Sequence, residues 1–191
     1  MPTFSCGVLD LATAADCSDK GGLLTVLWTT DDQVDWDTMT GATYFDDTDN
    51  SVVQWAMEAA GTWNRLDFVR KQGRMDNLYT RENGYYEVQV LNMIFRGHSA
   101  ANTYGLAQAA ACCNLIAVVF DNNGLSRVIG KEYVDGTWIS PLENCVISRH
   151  LDTTGGFGNL DDKARDEVDL FAEHNNPPAY NEVSLSAMLA L

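Results

Sequence analysis

The run Leu115-Ile116-Ala117-Val118-Val119-Phe120, the turn Asp121-Asn122-Asn123-Gly124 and the stretch from Leu125 to Val134 together decide the fold class. Apolar, β-branched and aromatic residues flank a cluster of Asn and Gly, which reads as two strands joined by a tight turn. Upstream, Tyr85-Tyr86-Glu87-Val88-Gln89-Val90-Leu91-Asn92-Met93-Ile94-Phe95 reads as a long strand. Its Tyr86, Val88 and Val90 point one way and Tyr85, Glu87 and Gln89 the other, so one face is half-buried. Asn83-Gly84, before it, is a strong hairpin signal and pairs it with Asn77 to Arg81. Between the two hairpins, Ser99 to Cys113 reads as an Ala-rich helix with Ser99 as N-cap and Ala100, Tyr104, Ala107 and Ala111 on one stripe. The unit is a β-scaffold with one helix laid on it.

The rest of the chain extends this pattern. Gly21-Gly22 end an irregular N-terminal arm of about 21 residues, and Leu23 to Thr30 reads as a strand. Asp31 to Asn50 reads as an acidic loop. Ser51 to Met57 and Thr62 to Val69 read as strands with Ala59-Ala60-Gly61 as the turn between them. Asp135-Gly136 marks another tight turn, and Asn144 to Leu151 another strand. Gly155-Gly156-Phe157-Gly158 reads as a flexible loop. Arg165 to Glu173 alternates, with Val168, Leu170 and Ala172 against Glu167, Asp169, Phe171 and Glu173, until Pro177-Pro178 closes it. From about residue 181 to 191 the chain is an apolar arm. Turn signals recur about every ten residues, which predicts a mainly β, α+β single domain: an antiparallel sandwich or barrel with one flanking helix.

Charge narrows the function. The 191 residues carry 27 acidic and 12 basic side chains, a net charge of −15, and residues 1–50 hold ten Asp against the single base Lys20. Attraction to a nucleic-acid backbone needs Lys and Arg to displace counterions, so binding by attraction is excluded. An acidic surface is either a solubilising shell or one that repels a polyanion and keeps it mobile. The candidate residues for the second role are Asp31, Asp32, Asp35, Asp37, Asp46, Asp47 and Asp49, with Asp161 and Asp162 as a second group that leads toward Glu173. No apolar run reaches the roughly 18 residues of a membrane span, so no membrane insertion is expected. Nothing at the N-terminus reads as a signal peptide.

The chemistry-bearing motifs are few. Gly97-His98-Ser99-Ala100-Ala101 follows a strand and opens a helix, as a nucleophile elbow does, with Asp121 or Asp135 and His150 or His174 as further members of a small serine hydrolase. The last Gly of that motif is Ala101, and one helix falls short of the crossovers an elbow rests on, so a helix cap is the preferred reading of Ser99. Cys6, Cys17, Cys112, Cys113 and Cys145 form no CxxC pair, and no paired-histidine motif occurs, so neither a metal nor another cofactor is expected. Cys112 and Cys113 read as buried thiols, and Cys6 and Cys17 as a pair able to bridge under oxidising conditions. A soluble ligand-binding β-domain is a third reading.

The order of the pieces adds a resemblance. The strand Gly21-Gly22-Leu23-Leu24-Thr25-Val26-Leu27-Trp28, the long strand into a short helix, the hairpin Ile116 to Gly130 and the late strand Asp166 to Glu173 before Asn176-Pro177-Pro178 resemble the tail-tube-like virion proteins of phages that infect Bacteroidetes. The likeness spans residues 20–30 and 85–180. It implies a β-sandwich or barrel stacked as hexameric rings around a DNA channel, without enzymatic residues. The partners it implies are other copies of the chain, other phage tail proteins and DNA that passes without specific binding. The location it implies is the virion, assembled in the host bacterial cytoplasm. Six copies at −15 each fit a repulsive channel.

Overall fold

In a computed structural model the described residues are mainly β, with a large mixed sheet and few helical residues, an α+β fold. The structure describes residues 22–66, 73–80, 84–96, 111, 114–122, 124–152 and 165–191. In chain order the strands are β1 (Leu23–Thr30), β2 (Phe45–Asp46), β3 (Ser51–Val52), β4 (Asn64–Leu66), β5 (Arg74–Thr80), β6 (Tyr85–Arg96), β7 (Leu115–Asp121) and β8 (Ser126–Ile129). They continue as β9 (Glu132–Val134), β10 (Thr137–Ile139), β11 (Glu143–Asp152), β12 (Arg165–His174) and β13 (Tyr180–Asn181), followed by helix α1 (Leu185–Met188).

The apolar run of β7 has no polar alternation because both of its faces are covered. Leu115, Ala117 and Val119 enter one core, and Ile116, Val118 and Phe120 enter another. The first core lies between two layers. One is β4-β1-β7-β8-β13-β3-β2 and the other is the antiparallel β5-β6-β12-β11. The layers are joined where β11 meets β7 at one pair, Cys145 with Leu115. Val88, Val90, Met93, Ile147, Val168, Leu170 and Ala172 supply the far side of this core, so the alternation along β6, β11 and β12 is the inside–outside alternation of a sandwich layer. The path from β2 to β5 does not close into a barrel among the described residues.

The second core covers the other face of β1, β7 and β8. The acidic segment after β1 is not an open loop here. It forms two short 3-10 turns, Asp31–Gln33 and Thr38–Thr40, and buries Val34, Met39 and Phe45. Its apolar residues lack a period because they pack from different short elements: Met39 from a 3-10 turn, Val34 from a single bridge to Met57 and Phe45 from the two-residue strand β2. Trp55, Trp63 and Trp138 complete this layer, with the ring centroids of Trp55 and Trp63 4.9 Å apart and nearly perpendicular.

One expected strand is shorter than the sequence suggests: Ser51 to Met57 is a strand only over Ser51–Val52. The second run is a strand over Asn64–Leu66, and residues 67–69 of it lie outside the described residues. The two strands do not pair with each other: β3 joins β13 in parallel and β4 joins β1. Buried threonines direct the latter pairing, since Thr25 Oγ1 donates to the Leu66 carbonyl at 3.2 Å and Thr29 Oγ1 to that of Thr62 at 3.0 Å. The C-terminal arm docks on its own domain. Ser184 caps α1 by accepting from the Ala187 N–H at 3.3 Å, and Met188 is fully buried in the second core. Full burial of one such side chain contributes about 1.5–3 kcal/mol. The Ser99–Cys113 helix, apart from Ala111, and the Gly155–Gly158 loop lie outside the described residues.

Candidate functional site

The candidate surface is the face of β5-β6-β12-β11 turned away from the first core, where Glu143 is exposed, Glu87, Gln89, Phe171 and Glu173 are half-buried and Asp169 is buried. β6 has 12 residues, roughly 40 Å of strand. Register places Glu143 opposite Glu173 and Glu173 opposite Glu87, so three glutamates stand in one row across three strands. The next row is Val146, Phe171, Gln89 and Asp76. Gln89 donates to the Glu87 carboxylate, and Arg74 pairs with Asp76 at 3.1 Å on the exposed edge. Like charges directly opposite each other cost a sheet up to about 1 kcal/mol per pair, so the row is a feature the fold carries at some expense.

The aspartates of residues 31–49 do not form one face. Asp31 Oδ1 lies 2.8 Å from Lys131 Nζ, and that buried ammonium also sits 5.2 Å over the Trp36 ring. Asp32 accepts from Thr30 Oγ1 at 2.5 Å. Asp35 accepts from Thr38 Oγ1 at 2.7 Å and from its N–H at 3.0 Å, and these bonds, the hydroxyl first, lower the Asp35 carboxyl below the usual range. Asp46 accepts from the Thr48 N–H at 2.8 Å. Burial, helped by the charge of Asp47, raises the Tyr133 hydroxyl. Asp37, Asp47 and Asp49 are exposed, while Asp161 and Asp162 lie outside the described residues. Several of these carboxylates therefore fold their own segment, and only part of the group faces solvent freely.

The hydrolase residues are not brought together among the described ones. His98 and Ser99 lie outside them, and nothing is described of the His150 side chain. Asp121 Oδ1 accepts from the Leu125 N–H at 2.8 Å and shapes the β7–β8 turn. Asp135 sits at φ 49° beside Gly136 at φ 84°, a two-residue hairpin turn. His174 is fully buried, with Nε2 accepting from the Gly130 N–H at 3.2 Å, and burial lowers it to about 4. Burial likewise pushes the Cys145 thiol up to about 12, where it is inert.

Sequence reasoning missed the junction that holds these parts. Between β8 and β9, Gly130 meets His174, Lys131 meets Asp31, and the buried Glu132 accepts from the N–H groups of Asn175 at 2.8 Å and Asn176 at 3.0 Å. Glu132 thereby clamps the turn that ends β12. The run Gly130-Lys131-Glu132 gives no local signal of this, because its partners lie about 44 residues downstream or 100 upstream. Among the described residues no group of three or more His, Cys, Asp or Glu is placed to hold a metal, and no helix is long and apolar enough to cross a membrane. No protein-family model matches the chain, and neither a curated protein nor a solved structure matches it.

Proposed function

We propose that this chain is a structural virion protein, a tail tube or related tail component, that assembles into hexameric rings around a DNA channel. The observation that carries the reading is the glutamate row Glu143–Glu173–Glu87 on the face of the long antiparallel layer turned away from its core, with Glu143 exposed and Glu87 and Glu173 half-buried. Among the described residues, β5 has no partner on its outer side, and β11 has none beyond Cys145. A sheet with two such edges can extend by pairing β5 of one copy with β11 of the next, and a rotation that closes gives a ring. The glutamates then line the inside, where repulsion lets DNA pass without binding. The work of the protein is mechanical rather than catalytic, and its other partners are tail proteins at the ends of the tube.

Native mass spectrometry and negative-stain imaging test assembly. Rings or tubes are expected, and more of them at higher salt, because ions screen repulsion between subunits of charge −15. A monomer at every salt and protein concentration would sink the proposal. A triple Glu87→Gln, Glu143→Gln, Glu173→Gln variant tests the lumen. It is expected to form rings, to melt no lower than wild type, and to slow DNA ejection in particles that carry it. Unchanged ejection with altered assembly would place the row at a subunit interface instead.

A further inference from the structure

We propose that the groove between the β7–β8 turn and the C-terminal segment receives the N-terminal segment, residues 1–21, of a second copy of this chain; this inference rests on the assembly reading above. The groove measures about 780 Å³. Leu24, Val183 and Leu185 line it, and Leu125 and Tyr180 stand among its lining residues 53% and 37% exposed. Asp49, Asp121 and Glu182 make it acidic. Such a site takes an apolar segment free of negative charge. Residues 1–9, Met-Pro-Thr-Phe-Ser-Cys-Gly-Val-Leu, carry no charged side chain and offer Phe4, Val8 and Leu9.

The place where the chain enters the fold points the same way. The Gly22 carbonyl accepts from the Asn122 N–H at 3.2 Å and from Asn122 Nδ2 at 3.1 Å, on the turn that forms one wall of the groove. Twenty-one residues reach up to roughly 70 Å. A domain of this size is about 40 Å across, so the segment can cross to a neighbour. Folded back on its own subunit, the stretch holding Asp10, Asp16 and Asp19 would lie beside the Asp49, Asp121 and Glu182 carboxylates. Passed to a neighbour, it leaves them.

The test is disulfide trapping with Leu125→Cys against the native Cys6, with diamide as the oxidant that takes up the two electrons and two protons. The expected product is an interchain disulfide, mapped by peptide mass spectrometry and abolished by Cys6→Ser. Its yield should exceed that of Leu142→Cys, an equally exposed control, by about tenfold, because a docked segment holds its thiol at a high effective concentration. Tyr180→Cys, elsewhere in the groove lining, should behave as Leu125→Cys does. Native mass spectrometry before oxidation separates the failures. An oligomer without the link overturns the docking and leaves the assembly reading intact. A monomer without it overturns both. A link within one chain shows that the segment covers its own groove and overturns the second-copy assignment.

Discussion

Gly130→Ala is expected to destabilise the domain by about 3–5 kcal/mol, the sum of an overpacked core and a strained backbone. A Cβ at this position would lie 2.2 Å from the Leu115 carbonyl oxygen and 3.0 Å from Cys145 Cβ, and the residue sits at φ 98°. Leu115 and Cys145 are the one pair that joins β7 to β11, so neither neighbour can yield without parting the two layers. Displacing Gly130 also lengthens the bond from its N–H to His174. Folded domains have only about 5–15 kcal/mol in total, so this is a large share of the whole. For a chain of this size the melting temperature should fall by roughly 6–20 °C, read by circular dichroism. Gly136→Ala separates the two causes. It has φ 84° but nothing within 4 Å of a Cβ, so it should lose about 1 kcal/mol from backbone strain alone. Equal losses at the two sites would remove the steric explanation.

How much of this was legible follows from where the partners sit in the sequence. The β5–β6 and β7–β8 hairpins and the turn at Asp135-Gly136 are readable because their signals are contiguous, and Gly84, Gly124 and Gly136 take the positive φ that those turns require. The stretch from Leu125 to Val134, read as one strand, is two: β8 ends at Ile129 and β9 starts at Glu132, because Gly130 takes φ 98° between them. The alternation along β12 is readable for the same local reason, although Asp169, expected outside, is 9% exposed. Pairings between distant segments leave no such trace. Nothing near Asn64 says that it joins β1, and nothing near Tyr180 says that it runs parallel to β3. The acidic segment misled for a different reason. Its polar residues are hydrogen-bonded locally while Val34, Met39 and Phe45 point inward, so composition describes only its outer side.

The glutamate row shows the same limit at the candidate site. Glu87 and Glu173 are each visible as outward residues of alternating strands, yet they become neighbours only through the pairing of β6 with β12. A one-residue change of register would move either to the opposite face, which is why sequence alone could not choose among acidic segments. The buried junction at Gly130, Lys131 and Glu132 was invisible because a Lys and a Glu read as surface residues until their partners are known.

Stability should fall as pH drops from about 6.5 to about 4, by an amount on the order of 3 kcal/mol assignable to His174. Accepting at Nε2 keeps the imidazole neutral with its proton on Nδ1, an atom buried without a hydrogen-bond partner among the described residues. Protonation at Nε2 would break the bond from Gly130 and place a charge in a site fully closed to water. The unfolded chain binds this proton near pH 6.5 and the folded chain only near 4, so the unfolded state holds more protons throughout that window. The contribution is therefore complete above about 6.5, declines as pH falls, and is spent below about 4. Carboxylates titrate over part of the same range, so wild type must be compared with His174→Gln. The amide oxygen of Gln can accept from Gly130 but takes up no proton. Urea unfolding at steps between pH 7 and pH 4 should give two curves that converge as pH falls. A difference that stays constant with pH would show that His174 binds its proton equally well in the folded and unfolded chain and that its loss costs packing alone.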